Sequence, residues 1–189
     1  MTRAAVAQAA AHVADEGGFA ALTATAVAKR LGIRTPSLYA HVRDLEALRD
    51  AVTGIGFAEL VDDISAALAG RSGREALAAF AGAQRDYAHR HPGRWQAMQR
   101  APRADQAGPA GAERLVELTL ALLRGYDVPE PEQVHAVRLI GSTVNGFVAL
   151  EQSGAFSHRP PSAASSWDRI VRSLDHLLTT WPHDPEDAP

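Results

Sequence analysis

Apolar residues recur at helical spacing along almost the whole chain, and no stretch shows the sustained two-residue alternation of a β-strand. In residues 3–16, for example, Val6, Ala9, Ala10 and Val13 fall on one helical face. Alanine, the best helix former, is abundant, and runs of β-branched residues are few. The sequence therefore predicts an all-α fold.

Glycine and proline divide the chain into segments of helical length. Besides two short helices before residue 43, the expected helices cover about 3–16, 45–69, 74–91, 95–100, 113–124, 130–153 and 166–181. Asp44 is a suitable N-cap for the helix that begins at residue 45. Loops are expected at 101–111 and 154–165.

Composition narrows the class of protein. A chain of 189 residues with 46% hydrophobic residues can bury a sizeable core. The absence of cysteine excludes disulfides, thiolate metal sites and cysteine nucleophiles. The N-terminus lacks the apolar region of a signal peptide, and no apolar run approaches the ~20 residues of a membrane helix. We expect a soluble cytoplasmic protein.

The net charge of the whole chain is −3, but the charges are unevenly distributed. Residues 17–43 contain no Asp or Glu. Their basic residues are Lys29, Arg30, Arg34 and Arg43. From residue 51 onward, 13 arginines accompany 17 acidic residues, which gives a net charge of −4. A basic segment ahead of an acidic body is typical of a protein that meets phosphates at one end only. A chance distribution in an arginine-rich chain is the alternative.

A pair of short helices joined by a tight turn is predicted within residues 22–43. Thr23 is a favoured N-cap for the first helix, which extends to Arg30. Gly32 can adopt positive φ, so the chain can reverse direction within three residues. Apolar residues on both sides of the turn can pack across the angle: Val27, Leu31, Ile33 and Leu38.

The second short helix carries outward polar side chains of the kind that contact DNA. Pro36 lies near its start, where a missing N–H costs nothing, and the helix is expected to end near His41 or Val42. Leu38 and Val42 point inward. The outward side chains are Arg34, Thr35, Ser37, Tyr39 and His41. In a helix-turn-helix the first helix braces against phosphates, and the second lies in the major groove with its N-terminal residues at base edges.

This segment resembles the TetR family of bacterial repressors. The shared residues are Leu22-Thr23, Val27-Ala28, Leu31-Gly32-Ile33, Pro36-Ser37-Leu38-Tyr39 and His41-Val42. The resemblance is strong over about 5–50 and architectural beyond, although 145–156 also resembles a subgroup of the family's C-terminal domains. It implies an N-terminal three-helix helix-turn-helix domain over 1–48. A larger helical ligand-binding and dimerisation domain over 49–182 and a flexible tail over 183–189 would follow.

The resemblance implies a role for each matching position. Thr23, Tyr39 and His41 would contact phosphates, and Thr25 sits where some family members reach a base. Base-edge or apolar contacts are implied for Arg34, Thr35, Pro36 and Ser37. Arg34 is the strongest candidate for guanine, because its guanidinium fork matches O6 and N7.

Some of these positions also fit a simpler structural role. Thr23 fits an N-cap alone, and the Tyr39 ring can pack while its hydroxyl reaches outward. The two basic residues at the end of the first helix fit a solvated surface slightly better than direct contact. One departure from the family pattern concerns Leu45, where many members have Lys. The phosphate contact that such a Lys would make is either lost in this chain or supplied by Arg43.

The resemblance also implies a homodimer on a palindromic operator, because two recognition helices must reach groove turns about 34 Å apart. It places the dimer contact on the helices at 130–153 and 166–181, with Gly141 and Gly146 permitting close approach. Residues that fit either pairing or the core of one chain are Val134, Val137, Ile140, Gly141, Val144, Val148, Ile170, Leu174, Leu177 and Leu178.

The implied function is repression that a small molecule relieves, although repression itself is only the habit of the family. A mostly apolar pocket is expected between the middle helices. Its candidate residues are Trp95, Met98, Gln99, Leu118, Leu122, His135, Leu139, Asn145 and Phe147. Trp95 and Phe147 also fit the core, His135 fits a surface position, and Asn145 fits a bond to a neighbouring helix.

No cofactor or metal site is expected. His89 and His91 are two positions apart, so a helix directs them to different sides. An enzyme is disfavoured, because no nucleophile–base pair, carboxylate constellation or phosphate-binding glycine loop is visible. The remaining alternative is a helical adaptor without DNA affinity, which the Leu45 departure slightly favours. Salt-dependent binding to the DNA that flanks the gene separates a regulator from an adaptor.

Overall fold

A computed structural model describes residues 1–100 and 110–182 of the chain. Every regular element in these two stretches is helical, which confirms the expected all-α fold. In chain order the helices are α1 (Arg3–Gly17), α2 (Ala24–Leu31), α3 (Thr35–Leu38), α4 (Leu45–Leu68), α5 (Gly73–Arg90), α6 (Pro92–Met98), α7 (Ala110–Leu123), α8 (Gln133–Gln152) and α9 (Ala163–Thr179). Short 3-10 turns at Phe19–Ala21 and Glu130–Glu132 precede α2 and α8. Among the described helices, none is long and apolar enough to cross a membrane.

Side chains just ahead of the helices explain where α4 and α9 begin. The Asp44 Oδ1 accepts a hydrogen bond from the Ala47 N–H at 2.7 Å, which confirms the predicted cap of α4. The Ser162 Oγ accepts from the Ser165 N–H at 3.2 Å. This second cap starts α9 at Ala163, a few residues earlier than predicted.

Two short helices differ from their predicted bounds. α3 ends at Leu38 rather than near His41 or Val42, because the N–H groups of both later residues donate to the Leu38 carbonyl, at 2.9 and 3.2 Å. The Tyr39 and His41 N–H groups thus bond three residues back, to Pro36 and Leu38, so the four-residue bonding pattern of the α-helix is interrupted after Leu38. α6 begins at Pro92 and ends at Met98, whereas 95–100 was predicted, since proline fits the first turn of a helix.

Two predicted irregular segments lie wholly or mostly outside the described residues. One is the flexible tail, 183–189. The other is the loop predicted at 101–111, of which 101–109 falls outside and the remainder already belongs to α7.

One compact unit comprises Met1–Asp62 and Tyr87–Arg114. Its core consists of buried apolar residues that include Val6, Ala10, Ala14, Leu22, Val27, Leu38, Leu48, Val52 and Ala97. α1 packs against both α2 and α6 in this unit. The approach of α6 is close, because a Cβ added to Gly93 would lie 2.0 Å from the Ala14 carbonyl oxygen. α6 is therefore part of the core that supports the helix-turn-helix pair.

The second compact unit comprises Asp63–Asp86 and Leu115–Pro189, of which 115–182 is described. α8 and α9 pack together in it. Their buried apolar residues are Ala136, Ile140, Val144, Phe147, Val148, Trp167, Val171, Leu174 and Leu178. An aromatic cluster closes one part of this core: the Phe147 ring lies 4.9 Å from that of Phe156 and 5.0 Å from that of Trp167.

Candidate nucleic-acid interface

The first helix of the pair and the turn after it follow from local chemistry. The Thr23 Oγ1 accepts a hydrogen bond from the Ala26 N–H at 3.1 Å, so Thr23 caps α2 as predicted. Gly32 adopts φ +67° and ψ +28°, in the left-handed region that glycine tolerates best. Its N–H donates to the Lys29 carbonyl at 3.2 Å. The predicted turn is confirmed.

Leu38 anchors the second helix. Its side chain is fully buried in the core that also contains Val27 and Leu48. Ile33, just after the turn, packs against the same core from a half-buried position. Because α3 has only one turn, the burial of Leu38 leaves the neighbouring side chains outside the core.

All nine residues predicted to contact DNA lie on this pair of helices and its flanks, and none of them is buried. The exposed ones are Thr23, Thr25, Arg34, Pro36, Ser37, Tyr39 and Arg43. Thr35 and His41 are half-buried. Tyr39 is 50% exposed, so its ring packs in part, as the alternative interpretation anticipated. The structure thus brings the nine residues together, and their contact with DNA stays a prediction.

The basic segment is less basic in the fold than in the sequence. Arg30 Nη1 donates to both carboxylate oxygens of Glu16, at 2.8 and 2.7 Å. Glu16 belongs to α1 and lies one residue before the acid-free stretch. Exposed pairs of this kind contribute little to stability. The pairing nevertheless makes Arg30 a poorer partner for phosphate than the exposed Lys29.

The start of α4 offers no cation. Leu45, its first residue, is half-buried and packs against the core of the first unit. Just before it, Arg43 Nε donates to Asp44 Oδ2 at 2.8 Å, with the two side chains 72% and 47% exposed. The first residue of α4 therefore supplies no positive charge at this edge of the helix-turn-helix.

Comparisons with known proteins agree with this geometry. Residues 6–52 match the family model of bacterial regulatory proteins of the tetR family, and 77–174 match that of a tetracyclin repressor-like C-terminal domain. An uncharacterized HTH-type transcriptional regulator of Mycobacterium tuberculosis, Rv0681, is 36% identical over 164 residues, which cover 84% of this chain and 73% of that protein. The chain belongs to the TetR family. It is therefore a DNA-binding transcriptional regulator of the helix-turn-helix class.

Other relatives of this TetR-family protein extend the likeness over the whole chain. The uncharacterized HTH-type transcriptional regulator YobS of Bacillus subtilis is 30% identical over 183 residues, covering 96% of this chain and 91% of YobS. A TetR variant from Acinetobacter baumannii AYE, solved in complex with minocycline, superposes with a TM-score of 0.74 at 19% identity, covering 97% and 99% of the two chains. BioQ of Mycobacterium smegmatis also gives 0.74 at 19% identity, with 96% and 100% covered. At such identities the structural likeness establishes the fold alone.

The residues predicted to bind a ligand fall into both units of this TetR-family protein. In the first unit, Trp95 and Met98 are buried on α6 and Gln99 is exposed just after it. In the second unit, Leu122 and Phe147 are buried, Leu118, Leu139 and Asn145 are half-buried, and His135 is exposed. The assignment of these residues to a ligand site stays a prediction.

The helices predicted to pair two protomers contribute to the core of their own unit as well. The buried members of the predicted set are Ile140, Val144, Val148, Leu174 and Leu178. Val134 and Leu177 are instead exposed, and Val137, Gly141 and Ile170 are half-buried. The sequence allowed these ten residues either to pair two protomers or to pack in the core of one chain. The structure shows core packing for five of the ten.

The first unit also contains an ion-pair network that was not predicted from the sequence. Arg94 on α6 is 4% exposed, and its Nη1 donates to the two carboxylate oxygens of Glu59 at 3.0 and 2.7 Å. Its Nε lies 3.1 Å from Asp15 Oδ2 without hydrogen-bond geometry, so this contact is purely electrostatic. The Tyr87 hydroxyl donates to Glu59 at 2.8 Å, and His91 Nδ1 lies 3.2 Å from Asp15 Oδ2.

Two members of this network, Arg94 and Tyr87, have raised pKa values. Burial alone would lower the pKa of Arg94, but the hydrogen bonds and charge of Glu59, together with the charge of Asp15, outweigh burial and raise it. Burial, followed by the hydrogen bond to Glu59, raises the pKa of Tyr87. Arg94 therefore stays charged and Tyr87 neutral across the physiological range. These groups join α1, α4 and α6 beneath the helix-turn-helix.

Proposed function

We propose that this regulator is a ligand-responsive repressor that binds a roughly palindromic operator as a homodimer. The observation that carries the proposal is the set of exposed side chains around the buried Leu38, among them Arg34, Ser37 and Tyr39. Polar side chains at the start of a second helix are those that reach base edges when it lies in the major groove.

Individual side chains suit particular parts of a DNA duplex. The Arg34 guanidinium matches the O6 and N7 acceptors of guanine. The Thr23 hydroxyl accepts the Ala26 N–H through its oxygen, and its own hydrogen remains able to donate to a phosphate. Capping and phosphate contact are therefore compatible. Tyr39 and His41, which follow α3, suit phosphates on the flank of the groove.

The first experiment is a selection of bound duplexes from random and genomic fragments, followed by affinity measurements on the recovered sequence. Arg34→Ala should weaken specific binding by about 1–3 kcal/mol per protomer and relax the base preference at one position of each half-site. Arg34→Ala combined with Tyr39→Ala should weaken it further, since a phosphate contact is also lost.

Arg124→Ala is the matched control for charge, because Arg124 is an exposed arginine of the second unit. It should leave the affinity unchanged, and circular dichroism should show that all variants keep their helix content. An unchanged operator affinity in the Arg34–Tyr39 double variant would refute the assignment of α3 as the reading helix. A wild-type protein that selects no DNA sequence would favour the adaptor alternative instead.

The proposed homodimer pairs through α8 and α9. Val134 and Leu177 are 53% and 49% exposed, although other apolar side chains of the same helices form a core. Large exposed apolar residues on two packed helices are typical of an association surface. A symmetric pair would present two copies of α3, as a palindromic operator requires.

Leu177→Arg should convert the dimer into a monomer at micromolar concentration, since two like charges brought together at a symmetric interface cost several kcal/mol. Sedimentation velocity measures the change, and operator affinity should fall in parallel. Val116→Arg is the matched control, because Val116 is 47% exposed on α7, outside the proposed surface. A dimer that survives the change at Leu177 with unaltered dissociation would place the interface elsewhere.

Ligand response requires a small molecule whose affinity differs between the DNA-bound and released conformers. The minocycline complex of a structural neighbour supports this part of the proposal. Fluorescence anisotropy of the labelled operator, repeated across a compound collection, tests it directly. A ligand of the proposed kind releases the duplex and raises the melting temperature of the free protein.

A further inference from the structure

A concave surface beside the helix-turn-helix pair carries basic groups from two separate parts of the first unit. The concavity has a volume of about 550 Å³. The start of α1, the turn that follows α3 and the first turns of α4 line it. Its charged or polar lining residues are Arg3, Tyr39, His41, Arg43 and Asp50, and four alanines form much of the remaining wall.

The lining of this concavity contains two cationic side chains, Arg3 and Arg43, and one acidic side chain, Asp50. Arg3 is exposed, and within the described residues its guanidinium has no ion pair or hydrogen bond. Arg43 pairs with Asp44 on the surface, where such a pair is weak and can be exchanged for a stronger one. The acidic member of the lining, Asp50, has its Oδ1 3.7 Å from Arg100 Nη1, which reduces its effect.

The concavity is continuous with the proposed DNA contacts. Tyr39 and His41, which the proposed function assigns to phosphates, are part of its lining. Leu45 is packed against the core, so the first residue of α4 supplies no cation at this edge. Arg3 reaches the same concavity from a different helix. Duplex DNA, with one negative charge per ~1.7 Å of its axis, has the complementary charge.

We infer that Arg3 is a DNA-phosphate contact and that it forms one phosphate-binding surface with Tyr39, His41 and Arg43. This inference rests on the proposed placement of α3 in the major groove. Phosphate contacts fix the position of a protein on DNA but carry no sequence information. Arg3 therefore contributes affinity and register, whereas Arg34 contributes sequence preference.

The test is the salt dependence of binding to the selected operator and to an unrelated duplex. In Arg3→Ala, the slope of log K against log[salt] should become shallower by about 0.9 per protomer, which corresponds to an affinity loss of about eightfold per protomer at 0.1 M salt. The loss should be equal on both duplexes. Arg3→Lys should keep most of the wild-type slope, since lysine also neutralises a phosphate.

Two controls show whether the loss of affinity comes from the phosphate contact itself. Arg124→Ala removes an exposed arginine of the second unit and should leave the slope unchanged. Thermal unfolding of Arg3→Ala should match the wild type, because the side chain has no partner among the described residues. An unchanged slope in Arg3→Ala, with operator binding still weakened in Arg34→Ala, would overturn the inference and leave the proposed function intact. A wild type without sequence-specific binding would overturn the proposed function itself.

Discussion

Gly93→Ala should destabilise the protein by about 3 kcal/mol or more, the upper part of the range for overpacked cores. A Cβ at this position would lie 2.0 Å from the Ala14 carbonyl oxygen, 2.1 Å from its carbon and 2.6 Å from the Asp15 nitrogen. These are backbone atoms of α1, which cannot rotate out of the way as a side chain would. α6 must then separate from α1, and the core they share loses contacts. Urea unfolding followed by circular dichroism measures the loss.

Gly54→Ala is the matched control for this substitution. Gly54 is an exposed glycine within α4, and a Cβ there meets nothing within 4 Å. Alanine should therefore stabilise that helix by about 0.5–1 kcal/mol, because it restricts the unfolded chain and favours the helix. Similar unfolding midpoints for the two variants would show that α6 does not approach α1 as closely as the structure describes.

Arg94→Met should cost about 3 kcal/mol of unfolding free energy. Methionine preserves much of the volume but leaves the carboxylates of Asp15 and Glu59 without their cation. Removing one partner of a buried ion pair typically costs about 3–5 kcal/mol. The lower end applies here, because the Glu59 side chain is 37% exposed, whereas that of Asp15 is 14% exposed. Urea unfolding at constant pH gives the value.

Two further variants identify the cause of this loss. Neutralising both partners in the same chain, with Asp15→Asn and Glu59→Gln added to Arg94→Met, should restore part of the stability, because no unpaired charge then remains. Arg30→Met breaks the exposed pair with Glu16 and should change stability by less than about 1 kcal/mol. A loss at Arg94 no larger than that at Arg30 would mean that the network contributes little to the fold.

The helix-turn-helix could be predicted because its shape depends on neighbours in the chain. Thr23 caps α2 through an N–H three residues ahead, and Asp44 caps α4 in the same way. Gly32 adopts positive φ where the turn requires it, and Pro36 occupies the first turn of α3. The end of α3 at Leu38 was missed, because two N–H groups compete for one carbonyl and composition does not show which turn they close.

The ion pairs and helix packing that hold the helix-turn-helix in place were decided only by the tertiary structure. Arg94 meets Glu59 across 35 positions of sequence and Asp15 across 79, so no local pattern distinguishes it from an arginine in water. Glu16 likewise neutralises Arg30 from another helix, although the stretch around Arg30 contains no acid. Apolar spacing shows which face of a helix is buried, but not which helix covers it. The sequence by itself thus determined the helices, the caps at Thr23 and Asp44, and the helix-turn-helix segment, because these depend on residues a few positions apart. The packing of α6 on α1 and the pairing of buried charges depend on groups that only the folded chain brings together.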